Sequence, residues 1–201
     1  MIYIEYISRR PGVDIEGFHR GVIEGQSGWE REHPEDRLLW SAGRTWRLGP
    51  VPAYIGAWWT AGYGLERFDY WDKVFRSGKA DGTEDPFQRV ATIDAAGCYE
   101  PLIEPVVASR GTYYAEFFRM TADALRVADF FKKRTARHKS FTLNILVHQT
   151  GKLGPEPGGL AVWTIPDFAS LAVIASELDG MVDPIELVSA GTYADVGREI
   201  L

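Results

Sequence analysis

A chain of 201 residues with 45% hydrophobic side chains has room for one large domain or two of about 100 residues, and enough apolar matter for a core, so disorder is excluded. Its net charge of −6 argues against nucleic acid or an anionic membrane surface as a partner, since both are met by clustered Lys and Arg. The lone cysteine, Cys98, excludes a disulfide framework and a cysteine-rich metal site.

The chain opens on strand-like residues, Ile2–Ile7, without a signal-peptide pattern, and no apolar stretch approaches the ~20 residues of a membrane helix. The expectation is a soluble, cytoplasmic protein. Asp14 is placed to cap a helix running to about Trp29, with Phe18, Val22 and Trp29 near the helical period. His33-Pro34-Glu35-Asp36 breaks it. Strands follow at Arg37–Arg47 and Tyr54–Thr60, joined by the turn Leu48–Pro52. A second helix is expected over Leu65–Phe75, then a polar stretch Ser77–Asp85 and a strand Phe87–Ile93. Tyr99–Arg110, with Pro101 and Pro105, reads as a linker.

The order then recurs. A strand at Thr112–Arg119 precedes a helix capped by Thr121 and running to about His138. Strands at Ser140–Thr150 and Leu160–Ile165 flank the turn Leu153–Pro157. Asp167 is placed to cap a helix carrying Phe168, Leu171, Ile174 and Leu178, and a last strand lies near Pro184–Tyr193. Leu48-Gly49-Pro50-Val51-Pro52 is echoed by Leu153-Gly154-Pro155-Glu156-Pro157, and Trp58 by Trp163, at one constant offset. The chain thus reads as α+β: two ferredoxin-like βαββαβ repeats, residues 1–105 and 106–201, with their sheets packed face to face as a pseudo-dimeric α/β barrel.

On the repeated order, the Gly-Pro-x-Pro turns and the two tryptophans, the chain resembles the dimeric α/β-barrel superfamily in a duplicated, fused form. The resemblance is nearest to the NIPSNAP, EthD and antibiotic-biosynthesis-monooxygenase branches. It implies cofactor-independent monooxygenase, cyclase or isomerase chemistry on a small aromatic or apolar molecule, or a non-catalytic binding or assembly module. Haem-handling members add a third reading. Fold alone does not choose among them.

Strand parity suggests which side chains line the interior. Phe141, Leu143, Ile145 and Val147 are uniformly apolar, as expected beneath helices, which leaves Asn144, Leu146 and His148 for the barrel lumen. The same reasoning places Tyr114, Glu116 and Phe118, and in the first repeat Tyr3 and Glu5, inside. Glu116 beside His148 would be a carboxylate orienting an imidazole base. A Glu bonded to backbone or to an Arg is the plainer alternative. His148 as base and Glu116 as its orienter are the candidate catalytic pair. Tyr3, Glu5, Arg44, Trp58, Tyr114, Asn144 and Trp163 are the candidate substrate contacts, Arg44 for an acidic group at the barrel mouth. Of the remaining histidines, His19, His33 and His138 read as structural.

The four histidines lack metal-ligand spacing, and there is no phosphate-loop motif, so neither a metal nor a cofactor is expected. A haem would need only one His. Seven tryptophans and an aromatic share of 13% suit a ligand pocket as well as a core. The expected partner is a small molecule, with a second copy of the chain as a further candidate.

Overall fold

The computed structural model describes residues 1–48, 50–60, 85–108, 111–151, 154–178 and 180–196, with backbone only for residues 46–48. Eight antiparallel strands form one closed barrel: β1 (Ile2–Arg9), β2 (Asp36–Leu48), β3 (Tyr54–Thr60), β4 (Ala91–Pro101), β5 (Thr112–Met120), β6 (Thr142–Gln149), β7 (Gly159–Ile165) and β8 (Ile185–Asp195). Around the ring the order is β1-β3-β2-β8-β5-β7-β6-β4. The first four strands and the last four therefore follow one pattern, β4-β1-β3-β2 and β8-β5-β7-β6. They meet as a continuous ladder instead of two sheets stacked face to face. The β2–β8 seam pairs residues from Ala42 to Leu48, while the β4–β6 seam pairs only Tyr99, Glu100 and Pro101 with Gln149, His148 and Val147.

Four helices cover the outside among the described residues: α1 (Ile15–Glu32), α2 (Pro86–Val90), α3 (Ala124–Arg137) and α4 (Leu171–Ser176). Asp14 caps α1 as expected, its carboxylate accepting from Gly17 N at 2.6 Å. The cap of α3 is Asp123, not Thr121, whose hydroxyl instead donates to the Val182 carbonyl. The strand expected over Phe87–Ile93 begins as a helix, because Asp85 caps Phe87 N at 2.7 Å and Pro86 sits in the first turn, where its missing N–H costs nothing. Strand pairing starts at Ala91 and runs through Tyr99–Pro101, which are not linker. The helix expected at Leu65–Phe75 and the stretch before Asp85 lie outside the described residues.

The interior cluster settles the parity question. Ile2, Ile4, Ile55, Ala57, Tyr113, Ala115, Phe117, Ile145, Val147, Leu160, Val162 and Tyr193 pack together with Trp40 and Tyr99, and no helix residue joins them. All eight strands contribute, so this cluster is the lumen. Phe118, Tyr114, Leu146 and Trp163 instead pack with Val127, Phe131 and Ile174 of α3 and α4. Ile7 likewise packs on Phe18 and Val22 of α1.

The two faces are thus the reverse of the sequence expectation. Phe141 and Leu143 do lie beneath helices, but a register shift between Leu143 and Ile145 turns Ile145 and Val147 inward. No helix side chain reaches the lumen to satisfy a charged group there, so it takes the largely apolar set, with tyrosines the polar exception. The helix-covered face takes the mixed set, because helix side chains can reach it.

Candidate functional site

Beneath α3, Glu116 and Arg134 form an ion pair with no solvent exposure on either side chain. Arg134 Nη1 donates to Glu116 Oε2 at 2.8 Å and Nη2 to Oε1 at 2.9 Å, a bidentate pair. The remaining donors reach Glu177 Oε2 and the Ile174 carbonyl, both at 3.1 Å, and the Trp163 indole donates to Glu116 Oε2 at 3.0 Å. The guanidinium carbon lies 5.2 Å from the centre of the Trp163 ring. Burial alone would lower the Arg134 pKa, but Glu116 and Glu177 carry it above its ordinary value. Glu116 is therefore a structural anion, and the expected pairing with His148 does not form.

His148 sits at the barrel rim, 27% exposed, with Nε2 3.4 Å from Glu100 Oε2. A cavity of about 380 Å³ does touch it, together with Arg119, Gln149 and Glu156, but this is an open groove outside the lumen. Arg44 donates to the Val51 carbonyl at 2.9 Å and so braces its own hairpin. Asn144 Oδ1 accepts from Thr164 N at 2.9 Å and Thr164 Oγ1 at 2.7 Å, tying β6 to β7 at the register shift. Tyr114 is buried on the helix side, and burial, with Glu116 adding to it, raises its phenol pKa. Rings pack across the lumen: Trp40 meets Tyr113 and Tyr193 edge-on at 5.7 and 5.4 Å, and the Tyr6 and Tyr99 hydroxyls lie 3.1 Å apart. At its mouth both proline turns converge, with Pro50, Pro52, Pro155 and Pro157 bounding a cavity of about 230 Å³ over Tyr6 and Phe117.

The structure brings Tyr3, Glu5 and Trp58 together beneath α1. Tyr3 pairs with Trp58 across β1–β3 and Glu5 with Gly56, the same register in which Tyr114 pairs with Trp163 and Glu116 with Ala161. The Trp58 indole donates to Glu5 Oε2 at 3.2 Å, as Trp163 does to Glu116. Here the likeness ends. Among the described residues no cation pairs with Glu5, although the residue is only 8% exposed.

A cavity of about 60 Å³ lies in front of Glu5, walled by Trp29, Trp58 and Phe87 and bordered by Gly25, Gln26 and Asp85. Both polar atoms of the Gln26 side chain are buried without a hydrogen-bond partner among the described residues. Burial pushes the Glu5 carboxyl up from 4.5 to about 7, with the Trp58 hydrogen bond opposing it. The sequence reading missed Gly25, Gln26 and Arg134. The signal for Arg134 was an arginine on the apolar face of a helix; the signal for Gly25 appears only when the two helices are aligned.

No protein-family model matches the chain, and no curated protein matches it. Among solved structures, the crystal structure of a mutant chlorite dismutase from Candidatus Nitrospira defluvii is similar, with a TM-score of 0.56 and 11% sequence identity over 97% of this chain and 92% of that one. At that identity the likeness concerns the fold, which is a ferredoxin-like α+β barrel.

Proposed function

We propose that this chain is a small-molecule-binding α/β-barrel protein, built from two fused ferredoxin-like repeats (residues 1–105 and 106–201) of the NIPSNAP, EthD and antibiotic-biosynthesis-monooxygenase type, and that its ligand site is the cavity beneath α1. One observation carries this reading. Two equivalent carboxylates, Glu5 and Glu116, occupy equivalent places, and only Glu5 faces a cavity with no counter-charge among the described residues. Burying a carboxylate without a partner is costly, and a fold keeps such a group where a ligand repays the cost. The rings of Trp29 and Trp58 suit a flat or apolar body. A carboxyl that titrates near neutrality is also the group with which a cofactor-independent cyclase, isomerase or monooxygenase takes a proton. Glu116 is tied up by Arg134 and His148 lies on the open rim, so the acid–base role belongs to Glu5 in this reading.

The test is a fragment panel of neutral aromatics, acids and amines, followed by ¹⁵N spectra of the tryptophan indoles. The expected result is at least one fragment that moves the Trp58 indole signal and leaves Trp163 still. Fragments that perturb only the His148 rim or the proline-bounded mouth, or none that bind, would overturn it.

A further inference from the structure

The second helix pair shows what the first site lacks. Arg134 stands eleven residues beyond its cap Asp123, and eleven residues beyond Asp14 is Gly25. Counted back from the C-terminal caps, His138 and His33, the counterpart of Arg134 is Trp29, one turn further along the same face. Both Gly25 and Trp29 border the cavity, and neither carries a charge. So by either alignment the guanidinium that fills the space before Glu116 has no equivalent before Glu5 among the described residues.

We infer that the cavity beneath α1 binds a small organic cation, a guanidinium or primary-ammonium group, in the position that Arg134 occupies against Glu116. This rests on the pocket assignment above and names the ligand's charge and shape. Four features agree on it. The Glu5 carboxylate and the Trp58 ring repeat the geometry in which Glu116 and Trp163 hold the Arg134 guanidinium.

The carboxylate of Asp85 also borders the cavity, and no Lys, Arg or His does among the described residues, so the site is negative. Gln26, buried and with neither amide atom hydrogen-bonded among the described residues, can turn its carbonyl oxygen toward a cation without losing a bond. Its amide nitrogen and Glu5 Oε2 both lie 3.2 Å from where a Cβ on Gly56 would sit, so the two side chains converge above a residue that has none. The volume also fits: about 60 Å³ admits a small charged head, such as the four heavy atoms of a guanidinium or the two of a methylammonium. A ligand body beyond the charged head would lie against Trp29 and Phe87.

The probes are N-methylguanidinium, its uncharged analogue N-methylurea and the neutral aromatic p-cresol, titrated at pH 8 against the parent protein and Glu5→Gln while the Trp58 and Trp163 indole signals are followed. The expected result is saturable movement of Trp58 with N-methylguanidinium, at least tenfold weaker response to N-methylurea, loss in Glu5→Gln, and a fixed Trp163. Glu5→Gln is nearly isosteric, and an unchanged circular dichroism spectrum with a melting temperature no lower than the parent's would show that the loss is not unfolding. Binding of p-cresol at Trp58 with no preference for the cation would overturn the cation assignment and leave the pocket reading standing. No response at Trp58 to any of the three would overturn both.

Discussion

Arg134 holds Glu116 by two hydrogen bonds, 2.8 and 2.9 Å long, in a place that water does not reach. Removing one partner leaves the other as a bare buried charge, which costs far more than the pair contributes. Arg134→Met is expected to lose about 3–5 kcal/mol of stability in urea denaturation. The double variant Glu116→Leu/Arg134→Met should recover most of that, because both charges then leave together. A double variant as unstable as the single one would refute the ion-pair account.

Glu5 gives the opposite pH signature to an ordinary carboxylate. Its folded pKa of about 7 lies above the ordinary 4.5, so below 4.5 both states carry the proton and Glu5 contributes no difference. Between 4.5 and 7 the unfolded chain releases the proton while the folded one keeps it, and stability falls as pH rises. Above 7 the full penalty is present, on the order of 3 kcal/mol. Glu5→Gln should therefore match the parent near pH 4 and exceed it at pH 8, with the gap opening across that window. Chemical denaturation at several pH values measures it.

Cation uptake should carry the same proton. If an ionised Glu5 is the form that binds, N-methylguanidinium affinity rises with pH up to about 7 and levels off above it, with close to one proton released per ligand at pH 6. Calorimetry in buffers of different ionisation heat reads that number directly. Affinity that is flat across this range would show that Glu5 is not the anion involved.

Two glycines of α1 should respond in opposite directions to alanine. A Cβ on Gly25 would stand 2.5 Å from Phe87 Cβ and 3.0 Å from Phe87 N, so α2 would have to move. Overpacking of that kind costs about 1–3 kcal/mol, against at most about 1 gained in helix propensity. Gly25→Ala is expected to destabilise. At Gly28 the nearest atom is the flexible Arg31 Nη2 at 3.7 Å, so the propensity gain stands alone and Gly28→Ala should stabilise. Thermal melts of the pair decide it.

His148→Ala should change stability by no more than about 0.5 kcal/mol, since the rim contact with Glu100 is partly solvated. N-methylguanidinium titration of that variant should match the parent. A His148 variant that lost ligand binding would return the site to the rim.

The sequence made the strand order readable because each strand carries its own period and the Trp58–Trp163 offset keeps the halves in step. The helix cap was legible at Asp14 and misread where Thr121 and Asp123 competed; Asp167, expected as a cap, accepts from Ser170 N at 2.8 Å, but the helix itself begins only at Leu171. Parity divided each strand into two sets but could not say which set faced inward. That depended on Arg134, a helix residue able to reach Glu116, and on a register shift beside Asn144 that no local pattern marks. The α1 cavity was the least legible part, since it is defined by side chains that are missing, at Gly25 and Gly56. Absence becomes informative only once Arg134 before Glu116 shows what could have stood there.

The ring of strands is closed unevenly. Three residue pairs join β4 to β6, and one of them contains Pro101, which has no N–H to donate, while six pairs join β2 to β8. Opened at both seams, β4-β1-β3-β2 and β8-β5-β7-β6 would each expose two raw sheet edges, the kind of surface that recruits other chains. Fluctuations that part the ring are expected to begin at the shorter ladder. Amide exchange should be faster at Glu100 and His148, whose N–H groups face the short seam, than at Gly43 on the long one; that difference would show a barrel that opens from one side with the other as its hinge.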